Sequence, residues 1–238
     1  MTVRFVSVSA GPANLEKPDG GVWCIVVAAG SGQRYGGAKQ FDLVAGRRVV
    51  DRSVETAAAV CDGVVVVLAP DAIGSSAASV PGADHVVCGG STRAASVRAG
   101  LAVVPDDAAV VLVHDAARPL ATVALFGRVV AAVQGGAVAA VPAIGVTDTI
   151  RDVDGGVVDR DRLRAVQTPQ GFRAATLRAA HASDGEATDD AALVERDGGT
   201  VALVEGEATN LKITGRHDRV VAEAILAERA AQGGDSPR

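Results

Sequence analysis

One stretch restricts the possible folds more than any other. The apolar run Val22-Trp23-Cys24-Ile25-Val26-Val27-Ala28-Ala29 passes directly into Gly30-Ser31-Gly32-Gln33-Arg34-Tyr35-Gly36-Gly37-Ala38-Lys39-Gln40. An unbroken β-branched run needs both of its faces covered, so it reads as a buried strand of a parallel sheet. The glycine-rich segment after it reads as a loop whose backbone N–H groups can come close to an anion. Arg34 and Lys39 place positive charge on that loop. Together these features predict a phosphate site, and a triphosphate suits it best.

Two common phosphate motifs fail here by one residue each. A dinucleotide fingerprint would need glycine where Tyr35 stands. A Walker A loop would need the lysine directly after Gly37, but Ala38 intervenes and Gln40 replaces the Ser or Thr. What remains, Ala-Ala-Gly-x-Gly-x-Arg followed by Lys-Gln, resembles the loop of sugar-phosphate nucleotidylyltransferases.

The rest of the chain alternates strand and helix. A helix is predicted over 47–61, ended by Asp62-Gly63, then a strand over 64–69 stopped by Pro70 and a short strand over 84–88. Gly89-Gly90-Ser91-Thr92-Arg93 opens a helix to about Val104, with Ser91 as its cap. A strand over 109–114 leads into Asp115-Ala116-Ala117-Arg118-Pro119. Thr122 caps a helix to Gln134, and a strand covers 136–141. Later come a helix over 171–181, a helix at Thr188-Asp189-Asp190 with Thr188 as cap, a strand over 200–204 and a final helix over 216–230. This rhythm predicts an α/β fold: a Rossmann-like three-layer arrangement, mostly parallel, with helices on both faces. Ligands in such sheets sit at the carboxyl ends of strands. The segments after Ala29, Cys88 and His114 should therefore meet.

The stretch 144–168 interrupts the pattern. It is rich in Asp and Arg, with an Asp154-Gly155-Gly156 turn between alternating segments, which predicts a protruding β-hairpin arm. With little core of its own, the arm suits packing on another subunit. Residues 1–20 read as a flexible leader in which 3–8 could add an edge strand, 21–231 as a single domain, and 232–238 as a flexible tail.

With only 3% aromatic residues, the 238-residue chain must fill its core with Val, Leu, Ile and Ala. A net charge of −5 gives no support for nucleic-acid binding. Cys24, Cys61 and Cys88 stand singly, without metal-ligand spacing, and read as free thiols of a reducing, cytoplasmic compartment. No apolar run reaches membrane-spanning length, and no signal peptide is apparent.

Several motifs occur in one order: Ala28-Ala29-Gly30-Ser31-Gly32-Gln33-Arg34; Gly89-Gly90 with Arg93 and Ser96; His114 to Pro119; Thr147-Asp148-Thr149; Gln167-Thr168-Pro169-Gln170; Ala187-Thr188-Asp189-Asp190; and Asn210-Leu211-Lys212-Ile213-Thr214. Over residues 22–230 the chain resembles the bacterial 2-C-methyl-D-erythritol 4-phosphate cytidylyltransferases. The resemblance implies transfer of CMP from CTP to a methylerythritol phosphate with release of pyrophosphate, in non-mevalonate isoprenoid synthesis. It also implies a divalent cation, usually Mg2+, held mainly by the CTP phosphates, and a homodimer. The chain departs from the family at Ala38, where proline is usual, and in a short Arg34–Lys39 interval.

Independent of family, the chemistry needs cations more than a base. A phosphate monoester is already ionised at neutral pH, so attack on an α-phosphorus depends on positioning and charge stabilisation. Arg34, Lys39 and Lys212 are the expected catalytic cations. Ala28, Ala29, Gly30, Gly32, Gly90, Ser96 and Ala116 are expected to bind CTP, with Gly90 and Ser96 at the cytosine. By resemblance, Asp115, Arg118, Thr149, Arg160 and Thr188 bind the acceptor, with Thr149 and Arg160 reaching a neighbouring subunit's site. His114 is read as structural, and no protein metal ligand is expected. Two other readings stay open from the residues: a nucleotidylyltransferase for another sugar or polyol phosphate, and a non-catalytic nucleotide-binding homologue.

Overall fold

Val, Ile and Leu runs of six or seven residues build the middle of the sheet, because only a strand covered on both faces can bury every side chain. The computed structural model describes residues 4–5, 20–30, 32, 35–182 and 187–233. Its strands in chain order are β1 (Arg4–Phe5), β2 (Val22–Ala28), β3 (Leu43–Val44), β4 (Arg47–Arg48), β5 (Gly63–Leu68), β6 (His85–Cys88), β7 (Val110–Asp115), β8 (Ala139–Gly145), β9 (Ile150–Arg151), β10 (Val157–Val158), β11 (Arg164–Val166), β12 (Gln170–Arg173) and β13 (Val201–Glu205). The helices are α1 (Val49–Ala58), α2 (Arg93–Leu101), α3 (Val123–Gln134), α4 (Ala174–Ala180), α5 (Asp190–Arg196) and α6 (Arg216–Ala231).

The main sheet runs β1-β13-β8-β12-β7-β2-β5-β6, with β11 added alongside β8. From β2 the chain moves outward to β5 and β6, all parallel, and then returns to β7 on the other side of β2. The order therefore reverses between β2 and β7. Loops leaving those two carboxyl ends diverge, and the crevice between them is where such sheets take ligands.

One face of the sheet packs on α1 and α3 through Val50, Val54, Leu125, Phe126 and Val129. The other packs on α2, α4 and α5 through Val97, Leu101, Leu177 and Val194. A smaller cluster joins Tyr35, Val44 and Val49 to Leu120, Ile213 and Ala222 of α6. This last cluster ties the β2 loop to the chain's final segments.

The sheet is mixed, with a parallel core. β12 lies antiparallel to both β7 and β8, with Gly171 opposite Leu112 and Ala140. The helix expected over 171–181 is thus corrected: its first part is strand, and helix begins at Ala174. The cause is the hairpin. β8 runs out into the arm, β9 and β10 pair there with Val157 opposite Arg151, and the chain returns along β8 as β11. A returning hairpin leg is necessarily antiparallel, and it continues inward as β12.

Other boundaries also shift. Residues 47–48 belong to a β3–β4 hairpin closed by Ala45 and Gly46, both at positive φ, so the first long helix starts at Val49. Thr92 caps α2, accepting from Ala95 N, and Asp189 caps α5, accepting from Ala192 N, in place of Ser91 and Thr188. The helix from Thr122 to Gln134 matches expectation, with Thr122 accepting from Leu125 N. Arg4 and Phe5 pair opposite Ala202 and Leu203 at the sheet edge; the rest of the expected leader before Gly20, and the tail after Gly233, lie outside the described residues.

Candidate active site

A cleft of about 490 Å³ opens at the carboxyl ends of β2 and β7. Its floor is the loop after β2. The Gly32 carbonyl accepts from Tyr35 N at 2.8 Å and Gly36 N at 3.0 Å, folding the loop back on itself. Gly32 has φ +62°, and a Cβ there would stand 1.9 Å from the Gly37 carbonyl oxygen, so no other residue fits without breaking the turn. Gly30 is exposed and a Cβ on it would meet nothing within 4 Å, which leaves its backbone open to a ligand. Lys39 lines the same cleft and donates from Nζ to the Ile213 carbonyl at 2.5 Å.

The second wall is the start of α2. Gly90, Ser91, Thr92, Arg93 and Ser96 line it. The Ser96 hydroxyl donates to the Thr92 carbonyl at 2.9 Å. Its single proton is spent there, so toward the cleft it can only accept.

The third wall carries the charge. Asp115 ends β7, and its Oδ2 accepts from Lys212 Nζ at 2.5 Å, while Arg93 Nε stands 3.4 Å from Oδ1. Burial by itself would raise the Asp115 carboxyl; the Arg93 and Lys212 charges and the Lys212 hydrogen bond outweigh it and bring it down to about 2. Arg93 in turn donates from Nη1 to Asp190 Oδ2 at 2.6 Å, and Asp190 Oδ1 lies 2.9 Å from His181 Nε2.

Lys212 is aimed by its neighbours in Asn-Leu-Lys-Ile-Thr. Asn210 is fully buried and donates to the Thr168 carbonyl at 3.0 Å. Ile213 N donates to the Ala117 carbonyl at 2.8 Å, and the Ile213 side chain is buried. Asp218 accepts from Thr214 Oγ1, Thr214 N and Gly215 N, closing the segment onto α6. With residues 210 and 213 held inward, residue 212 projects into the cleft.

A family model for IspD, 2-C-methyl-D-erythritol 4-phosphate cytidylyltransferase, matches residues 22–228. A relative of that name from Nocardia farcinica is 47% identical over 224 residues, covering 90% of this chain and 97% of its own. The chain belongs to the IspD family. A bifunctional IspD/IspF enzyme from Anaeromyxobacter dehalogenans is 46% identical over 228 residues, 88% of this chain and 58% of its own. The crystal structure of the 2-C-methyl-D-erythritol 4-phosphate cytidylyltransferase from Thermus thermophilus superposes with a TM-score of 0.74 at 40% identity, covering 85% of this chain and 98% of that one. Membership makes the chain a cytidylyltransferase (EC 2.7.7.60) that transfers a cytidylyl group from CTP to 2-C-methyl-D-erythritol 4-phosphate in the non-mevalonate isoprenoid pathway.

For an IspD the cleft gathers most, but not all, of the expected residues. Ala28, Ala29, Gly30, Gly32, Lys39, Gly90, Ser96, Asp115, Ala116 and Lys212 line it. Arg34 lies outside the described residues. Arg118 turns inward, donating to the Asn210 carbonyl at 2.7 Å and the Val166 carbonyl at 3.3 Å, so it braces the Lys212 segment. Thr149 and Arg160 sit exposed on the arm, where Arg160 donates to the Thr147 carbonyl. Thr188 is exposed just ahead of α5. His114 is fully buried behind the cleft. Thr168 Oγ1 accepts from Asp115 N at 3.0 Å and lies within hydrogen-bond distance of His114 Nδ1 at 3.1 Å, so the imidazole holds the β7 end from within. Arg93 and Asp190 stand inside two of the motifs, but an ion pair between distant segments has no local spacing that would signal it.

Proposed function

We propose that CTP lies with its triphosphate over the Gly30–Gly32 turn and its cytosine against Gly90 and Ser96. In this pose Ala28, Ala29 and Ala116 form the close-packed wall beneath the nucleotide. Arg34 and Lys39 neutralise the triphosphate, and Lys212 stabilises the charge that grows around the α-phosphorus. Asp115 accepts hydroxyl hydrogen bonds from the methylerythritol chain. A phosphate oxygen of the acceptor forms the new bond to the α-phosphorus. The bond to the bridging oxygen breaks, and its electron pair leaves with pyrophosphate. No proton has to be removed first, since the acceptor phosphate is ionised at pH 7. The observation that carries this reading is the Lys212–Asp115 pair at 2.5 Å, facing an open glycine backbone across one cleft.

Mg2+ suits the site as an ion held by the triphosphate. Among the described residues no group of three or more His, Cys, Asp or Glu could cage a metal, and Asp115 is already engaged by two cations. Magnesium keeps several waters and takes phosphate oxygens readily. When bound it would offset triphosphate charge and polarise the α-phosphoryl group.

The unit spanning 21–231, with its arm at 144–168, is further proposed to work as a homodimer. Thr149 and Arg160 then reach the partner's acceptor site; neither lines the cleft of its own chain. Thr188 and the inward-facing Arg118 support the acceptor side. Among the described residues no helix is long and apolar enough to cross a membrane, and Cys24, Cys61 and Cys88 are free, which supports a cytoplasmic setting.

Turnover with each of four nucleoside triphosphates, scored by pyrophosphate release with methylerythritol phosphate and Mg2+, tests the reading. Release with CTP alone is expected. CTP binding without release would overturn it, and efficient release with UTP would overturn the base assignment.

A further inference from the structure

Asp190 is 0% exposed and does not line the cleft, yet it is one contact away from a group that does. Its Oδ2 accepts from Arg93 Nη1 at 2.6 Å and its Oδ1 from His181 Nε2 at 2.9 Å. The position is fixed from both sides. Asp189 accepts from Gln170 Nε2 at 2.8 Å, and Ala191 N donates to Gln170 Oε1 at 3.4 Å, so the start of α5 is pinned to β12. Arg93 therefore stands between two carboxylates at unequal distances: 2.6 Å to buried Asp190 and 3.4 Å to Asp115.

We propose that Asp190 is a positioning residue for the transfer reaction: by holding the Arg93 guanidinium, it keeps Oδ1 of Asp115 available to the acceptor's hydroxyls. A guanidinium beside a single carboxylate closes onto it as a two-pronged pair. Here the inner carboxylate takes the short, charge-assisted bond, and Asp115 is left with a long one. Lys212 already occupies Oδ2 of Asp115. Without the Asp190 charge, Arg93 would close on Oδ1, and both oxygens would be taken by fixed cations. An incoming hydroxyl would then have to displace one of them. This inference rests on Asp115 receiving the acceptor.

The test is steady-state kinetics on Asp190→Asn, which preserves side-chain shape and removes the charge. The acceptor KM should rise about tenfold while the CTP KM moves less than about twofold, because only interactions on the acceptor side are altered. Adding Arg93→Gln to that variant removes the displaced cation, so the double variant should have an acceptor KM no higher than Arg93→Gln alone. An unchanged acceptor KM in Asp190→Asn, equal rises in both KM values, or additive effects in the double variant would each overturn the proposal. If Asp190→Asn does not fold, Arg93→Lys serves instead: an ammonium held by Asp190 cannot also reach Asp115, so Oδ1 stays open and the acceptor KM should not rise, and a rise as large as that of Asp115→Asn overturns the proposal. Asp115→Asn separates the two levels. If it raises the acceptor KM and Asp190→Asn does not, the positioning role fails and Asp115 stands. If Asp115→Asn leaves the acceptor KM unchanged, the reading of Asp115 itself is overturned.

Discussion

The Lys212 ammonium rests 2.5 Å from Oδ2 of Asp115, and Thr168 braces the segments that carry both. Asp115 is the last residue of β7, fixed by the sheet and by Thr168 beneath its N–H. Lys212 comes on an irregular segment whose fixed points are the buried Asn210 and Ile213. The pair neutralises itself without substrate, so neither charge has to be paid for by an unpaired burial. In the proposed function the lysine meets the incoming polyanions from its place on Oδ2, and the acceptor's hydroxyls take Oδ1 of Asp115.

Lys212→Ala should lower kcat by about a hundredfold to a thousandfold, the range found when one preorganised charge-stabilising donor is removed. CTP affinity should change less than about fivefold, because the ground-state triphosphate also has the loop backbone and Lys39. Single-turnover measurement at saturating CTP, alongside a binding titration, separates the two effects. Near-normal kcat would remove Lys212 from the transition state.

Ser96 should set preference for cytosine. Its proton is committed to the Thr92 carbonyl, so it faces the cleft as an acceptor. Cytosine offers an amino group at the position where uracil has a carbonyl, and two acceptors facing each other are unfavourable. Ser96→Ala should narrow the ratio of kcat/KM for CTP over UTP by about tenfold, mainly through loss of the CTP contact. An unchanged ratio would move base recognition to the backbone around Gly90.

Acid should destabilise the fold in two stages. Burial holds the His114 imidazole down at about 4, from an ordinary 6.5. Between those values the unfolded chain binds a proton that the native one refuses. Stability is thus intact above pH 6.5 and declines toward pH 4, by about 3 kcal/mol in all. Asp115 follows, with a native value of about 2 against an ordinary 3.8. Its contribution of about 2 kcal/mol is present above pH 4 and vanishes on approach to pH 2. Denaturant midpoints measured across pH 3–8 should show the first slope, and His114→Gln should flatten it while retaining turnover at pH 8. A slope unaltered by that substitution would place the acid sensitivity elsewhere.

The parts that could be read in advance are those in which local sequence and tertiary position agree. Ala28-Ala29-Gly30 must leave a strand, and His114-Asp115 alternates in and out of the sheet, so the buried imidazole and the cleft carboxylate follow from strand geometry. Asn210 to Thr214 could be located but not oriented, since its conformation comes from Thr168, Ala117 and Asp218. β12 was missed because four residues, two of them Gln170 and Gly171, carry too little alternation to outweigh the helical pattern after them. Arg118 shows the limit for side chains: an arginine after a strand end looks the same in sequence whether it faces a substrate or two backbone carbonyls. The Arg93–Asp190 pair joins the starts of two helices from distant parts of the chain, and only the folded sheet brings them together.

Subunit mixing tests the arm most directly. Arg160 is exposed, donates to the Thr147 carbonyl and does not line its own cleft. If it serves a partner's acceptor site, a chain lacking Arg160 still has an intact cleft, and a chain lacking Lys212 still lends an intact arm. Arg160→Ala alone should raise the acceptor KM, by roughly tenfold or more for loss of a two-pronged phosphate contact. Lys212→Ala alone should be nearly inactive. Refolded together in equal amounts, the two variants should regain about a quarter of wild-type activity at low acceptor concentration, because half of the two-fold dimers are mixed and each mixed dimer carries one complete site. Arg160→Ala mixed with itself, or the two variants combined in one chain and mixed with an inactive partner, should show no such gain. Activity equal to the mean of the separate variants would mean that each chain completes its own site, and the arm would then be left with packing alone.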